Sequence, residues 1–307
     1  MLTCKRKLPL ALLGAALCVG GTTSAQADTR PAGQGKAPKD IADVASVESH
    51  AGADKDKTYF LIGHDAKAKA PRSGYRLMLV LPGGTGARDK ESFCKRIYKF
   101  ALSSDYIVAQ LVSKMWRDDQ KIIWPREKKR VAKMKFSTEE FIDAVIEDVE
   151  SQIKIDRSHI FTLTWSSSGP AAYAAALAKK SRITGSFIAM SVFKPLQGRL
   201  KLSNGRGRSF YIYHSETDRR CPIRMARDAE VKLTKAKAKV EFATYSGGHT
   251  LGHPRVWLDM KKGVAWLEKN HSKARKHKKP KKRKALRPSK RPSKRPSERP
   301  SERQMAP

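Results

Sequence analysis

Apolar runs of strand length alternate with helix-period stripes through most of this chain, and that alternation restricts its fold more than anything else in it. RLMLVL (Arg76 to Leu81) is continuous and apolar after its first residue. Similar runs are Tyr59-Phe60-Leu61-Ile62, YIVAQLV (Tyr106 to Val112), HIFTLT (His159 to Thr164), SFIAMSVF (Ser186 to Phe193), SFYIYH (Ser209 to His214) and VEFATY (Val240 to Tyr245). Strands without polar alternation are buried on both faces, as in a parallel sheet covered by helices. Helices fall between them. Ser137 and Glu140 have the S-x-x-E spacing of a capping box. Ile142, Val145, Ile146, Val149 and Ile153 then follow on one helical face. Further helices are expected over 171–180 and 223–238, and a closing one carries Val256, Met260, Val264 and Leu267 on a stripe. The expected class is α/β, with a mostly parallel central sheet and helices on both faces. Chemistry in such sheets gathers at the carboxyl ends of the strands.

The flanks differ from this core. Residues 1–27 carry the basic stretch Lys5-Arg6-Lys7, a short apolar run from Leu8 to Gly20 and Ala25-Gln26-Ala27, the pattern of a secretory signal peptide cleaved before Asp28. The run is shorter than the roughly 20 residues of a spanning helix, so no transmembrane segment is expected. The bulky Leu17 before Cys18 argues against lipidation. The implied location is secreted or periplasmic. Residues 28–57 are rich in Ala, Gly, Lys and Asp and read as a flexible linker, and 58–271 as the folded domain. From 272 to 307 the chain is basic, with the repeat RPSK-RPSK-RPSE-RPSE from Arg287 to Glu302. Prolines and charge favour an extended, disordered tail. The formal net charge of +35 over 307 residues draws the protein to polyanions. The tail reads as a tether to an anionic cell-envelope surface or another polyanion.

Only Cys94 and Cys221 remain after signal removal, too few for a disulfide scaffold, and their spacing leaves open whether they pair. The histidines show no ligand spacing with carboxylates on a helix, so no metal and no cofactor is expected.

The chemistry is concentrated in the loops after four strands. In TWSSSGPAAY, a strand runs into a serine turn and a helix. A nucleophile on such a turn needs small residues two positions before and after it. Ser167 has Trp165 before it, and Ser168 has Pro170 after it. Ser166 has Thr164 and Ser168, and fits best, although the usual glycines are replaced at both flanks. VLPGGTG follows an earlier strand, and Gly83 and Gly84 let backbone N–H groups turn toward a pocket. With the N–H of Ser167 they are candidates for an oxyanion hole. Asp218 lies just beyond SFYIYH, with Glu216 as the rival acid. His249 follows Gly247-Gly248 after the last strand and is preferred to His253, which lies farther from the strand. Trp165 and Trp124 are candidates for lining an acyl or aromatic pocket, against the alternative of core packing.

Ser166, Asp218 and His249, in that order and each at a strand end, resemble the α/β-hydrolase family over about residues 58 to 270. WSSSGPAAY and SGGHT are similar to segments of secreted serine esterases and polyester depolymerases, including the poly(3-hydroxybutyrate) depolymerase-like and feruloyl esterase-like group. The resemblance implies Ser166 as nucleophile, His249 as general base and then acid, Asp218 as its orienter, and a small or polymeric ester as substrate. The bond could equally be a thioester or an amide. A different class of reading is an inactive hydrolase fold that binds anionic envelope polymer or nucleic acid through its basic surface.

Overall fold

The computed structural model describes residues 38–65, 69–195 and 199–271. The expected signal peptide, residues 28–37 of the expected linker and the basic tail lie outside them.

Among the described residues, eight strands form one sheet: β1 (Ser46–His50), β2 (Thr58–Ile62), β3 (Tyr75–Leu81), β4 (Tyr106–Leu111), β5 (Ile155–Trp165), β6 (Gly185–Ala189), β7 (Ser209–Ser215) and β8 (Lys239–Tyr245). Their spatial order is β1-β2-β4-β3-β5-β6-β7-β8. The β1–β2 and β2–β4 pairs are antiparallel, and every pairing from β4 onward is parallel. Five α-helices among the described residues cover the faces: α1 (Glu91–Ala101), α2 (Thr138–Gln152), α3 (Gly169–Ala176), α4 (Ile223–Lys235) and α5 (Val256–Asn270).

Period-two alternation sends β3 into two cores. Leu77, Leu79 and Leu81 pack with α2, α3 and α4, whereas Met78 and Val80 face α1 and α5. All five side chains are fully buried, each worth about 1.5–3 kcal/mol relative to exposure. That double burial is why RLMLVL has no polar alternation. The capping box is present: Glu140 N–H donates to Ser137 Oγ at 3.2 Å, and Ser137 N–H to Glu140 Oε2 at 2.7 Å.

The linker expectation is corrected for residues 46–50. SVESH is an edge strand whose place is set by main-chain pairing to β2, so its polar side chains gave no strand pattern. Just before it, Ile41 and Val44 are buried in the core. Helix α1 went unrecognised because its inner stripe is only Cys94, Ile97 and Ala101, interleaved with Lys95, Arg96 and Lys99. The third helix starts two residues earlier than expected and ends at Ala176, and β6 stops at Ala189, where Met190 takes a φ of 35°. Among the described residues, Cys94 and Cys221 are buried and form no disulfide.

Candidate active site

The turn between β5 and α3 holds Ser166 at φ 56°, left-handed backbone on a residue with a Cβ. Such a conformation costs about 1–2 kcal/mol, so neighbours must hold it. Ser168 does most of this. It is fully buried, and its hydroxyl lies 2.6 Å from the carbonyl of Leu81 at the end of β3 and 3.0 Å from that of Trp165. The same oxygen accepts the Trp165 N–H at 3.1 Å. From the other side, Ser191 Oγ donates to the Ser166 carbonyl at 2.6 Å. Gly169 permits this approach: a Cβ there would stand 2.0 Å from Ser191 Oγ. Sequence reasoning weighed Ser168 as a rival nucleophile and as a small flank but not as a brace, and it missed Ser191, because both act on residues distant along the chain.

Ser166 Oγ lies 2.9 Å from His249 Nε2, and His249 Nδ1 lies 2.8 Å from Asp218 Oδ2. Carboxylate oxygens only accept, so Nδ1 carries the proton and Nε2 presents its lone pair to the serine hydroxyl. Asp218 has a fully buried side chain. Burial pushes its carboxyl upward, but the amide of Cys221, the hydrogen bond and charge of His249 and the amide of Arg220 outweigh this, leaving it below the ordinary aspartate value. Both amides donate to Oδ1 at 2.8 Å, which reserves Oδ2 for the histidine. Behind it, buried His214 donates from Nε2 to the Cys221 carbonyl at 2.7 Å. Burial lowers its pKa, so it stays neutral beside the acid.

The His249 loop leaves β8 through Gly247 and Gly248, at φ 134° and 72°. Gly248 N–H donates to Ser215 Oγ at 3.0 Å, and Tyr245 OH donates to the Gly248 carbonyl at 3.0 Å. The rivals are elsewhere. Glu216 is exposed, and His253 hydrogen-bonds Tyr213 OH at 3.0 Å and stacks on Tyr245.

A cavity of about 540 Å³ opens over Ser166 and His249, lined also by Gly83, Gly84, Phe93, Trp165, Met190 and Leu251. Gly83 abuts Trp165, where a Cβ would come within 2.4 Å of the indole. Ser167 hydroxyl donates to the Gly84 carbonyl at 2.8 Å, tying the glycine turn to the serine turn. Trp124 does not line this cavity, which corrects one candidate. It is buried, and its indole N–H donates to the Pro82 carbonyl at 3.0 Å, so it braces the glycine turn from behind.

One strand order, one serine turn and one histidine loop bring Ser166, Asp218 and His249 together here. The chain has the α/β-hydrolase fold. Solved structures agree. The Bacillus cereus carboxylesterase superposes with a TM-score of 0.52 at 18% identity, covering 74% of this chain and 94% of that one. A truncated carbohydrate esterase from gut microbiota gives 0.56 at 13%, covering 73% and 96%. The carboxylesterase Cest-2923 from Lactobacillus plantarum WCFS1 gives 0.54 at 12%, covering 74% and 97%. No family model and no curated protein sequence matches the chain.

Ligand atoms of Asp218, Cys221 and His249 lie within 4.8 Å of one another. This follows from the hydrogen bond between Asp218 and His249 and from the Cys221 N–H that donates to Asp218 Oδ1. At 2.8 Å the Asp218–His249 contact is a hydrogen bond, tighter than the roughly 3.3 Å at which a tetrahedral ion holds two ligands.

Proposed function

We propose that this chain is a serine hydrolase that cleaves a carboxylic ester through an acyl-enzyme on Ser166. The observation that carries the reading is the hydrogen-bonded series Ser166–His249–Asp218, with the serine on a strained turn beneath an open cavity.

The steps follow from that geometry. His249 Nε2 takes the Ser166 proton as Oγ bonds to the acyl carbon. The carbonyl π pair moves onto oxygen, and N–H groups of Ser167 and the Gly83–Gly84 turn are the proposed donors to that oxyanion. Asp218 stays ionised and stabilises the imidazolium. The oxyanion collapses, the bond to the alkoxy group breaks, and His249 gives that group its proton. Water then repeats the sequence against the acyl-enzyme, releasing the acid and restoring Ser166. Trp165, Phe93 and Leu251 supply apolar surface for part of the ester.

The protein should therefore turn over 4-nitrophenyl butyrate, and Ser166→Ala should reduce kcat by at least about 10³. Equal turnover by both proteins would refute the assignment. We also propose export, directed by residues 1–27, and tethering by the basic tail to an anionic envelope surface. Truncation after Asn270 should abolish salt-sensitive adsorption to anionic vesicles and leave ester turnover intact. Unchanged adsorption would rule the tether out.

A further inference from the structure

The charged side chains lining the cavity mouth are Asp89, Lys90, Arg96 and Arg220. All but one are already neutralised. Lys90 Nζ is 2.7 Å from Asp89 Oδ2. Arg96 makes a two-pronged contact with Asp40, Nε to Oδ2 at 2.7 Å and Nη2 to Oδ1 at 3.1 Å. Arg220 has no carboxylate partner among the described residues. It is exposed, but its position is not loose. Its own N–H donates to Asp218 Oδ1 at 2.8 Å, so the root of the side chain is fixed to the acid that orients His249. The cavity therefore combines an apolar lining of Phe93, Trp165, Met190 and Leu251 with one guanidinium that has no carboxylate partner among the described residues, on a side chain rooted beside Asp218.

We propose that Arg220 is a substrate-binding residue and that the ester carries a fixed negative charge, a carboxylate or phosphate, which its guanidinium fork receives. This rests on the ester-hydrolase reading above. A guanidinium presents paired donors that match either anion, and a charge-assisted pair is stronger than a neutral one. The contact shares its cavity with apolar walls that would pack the rest of the ester. Arg219, its neighbour, is also exposed but does not line the cavity, which makes it the internal control. General attraction of anions by the net charge of +35 acts on both sites alike and cancels in that comparison.

Two measurements test this. The first is kcat/KM for 4-nitrophenyl hemisuccinate against 4-nitrophenyl pentanoate, and for 4-carboxyphenyl butyrate against phenyl butyrate. These place the charge on the acyl and the alcohol side respectively. At least one charged ester should be preferred on the order of tenfold, Arg220→Ala should remove that preference, Arg220→Lys should restore part of it, and Arg219→Ala should leave it intact. The second is calorimetric binding of N-phenylsuccinamate and N-phenylbutanamide to Ser166→Ala protein, which needs no turnover. The anion should bind more tightly, and only with Arg220 present. A preference that survives Arg220→Ala, or no preference in either measurement, overturns the proposal. Preferential binding of the anion by a protein that cleaves none of the four esters would keep the anion site and refute the hydrolase reading instead.

Discussion

Asp218→Asn should leave the protein folded and reduce ester turnover by about 10⁴. The reason lies in how Asp218 is held. Oδ1 accepts the N–H groups of Arg220 and Cys221, each at 2.8 Å, and Oδ2 accepts His249 Nδ1–H. An asparagine must keep its carbonyl oxygen toward the two amides. Its NH₂ group then takes the place of Oδ2 and donates to Nδ1. His249 responds by carrying its proton on Nε2, the atom that faces Ser166 at 2.9 Å. A protonated Nε2 cannot take the serine hydroxyl proton, so the general base is lost while every heavy atom stays in place. The loss should be in kcat far more than in KM, and the circular dichroism spectrum should match wild type. Turnover within tenfold of wild type would mean that Asp218 is not the acid that orients His249.

Gly169→Ala should both destabilise the protein and slow ester turnover. The new Cβ would stand 2.0 Å from Ser191 Oγ and 2.4 Å from its Cβ. Neither atom is the end of a long, flexible side chain. Ser191 also cannot withdraw freely, because its hydroxyl holds the Ser166 carbonyl at 2.6 Å. Relief must come from the backbone of the turn or of the chain after β6. Overpacking of this kind costs about 1–3 kcal/mol, and release of the Ser166 carbonyl should lower kcat as well. Denaturant unfolding gives the first quantity and steady-state kinetics the second. Gly207→Ala is the comparison. That glycine has a φ of 72° with nothing within 4 Å of the added methyl, so backbone strain alone remains and turnover should not change.

The parallel sheet was legible in the sequence because double burial leaves strands such as RLMLVL without polar alternation. The three residues of the proposed triad were legible as candidates as well, since each follows an apolar strand, with Ser166 and His249 on turns of small residues. Their supports were not. Ser168 reaches Leu81, Ser191 reaches Ser166, and Ser215 reaches Gly248. A serine that caps a distant strand looks the same in sequence as one facing solvent. His214 closes the strand SFYIYH and reads as the end of an apolar run, yet it lies fully buried behind the acid. For Trp124 the sequence left pocket wall and core packing open, and packing holds: the residue is buried and its indole N–H donates to the Pro82 carbonyl. At the amino end, SVESH is a strand through its main chain alone, which no side-chain pattern reports.

The central claim is that His249 activates Ser166 as a nucleophile. Labelling of the folded protein with a fluorophosphonate probe, followed by peptide mass spectrometry, tests it most directly, because the reagent reacts only with a serine whose proton is being removed. The account predicts a label on Ser166 that is absent from Ser166→Ala and sharply reduced in His249→Ala. A folded protein that takes no label, or takes it on another serine, would contradict the account and leave the basic surface as the function to pursue.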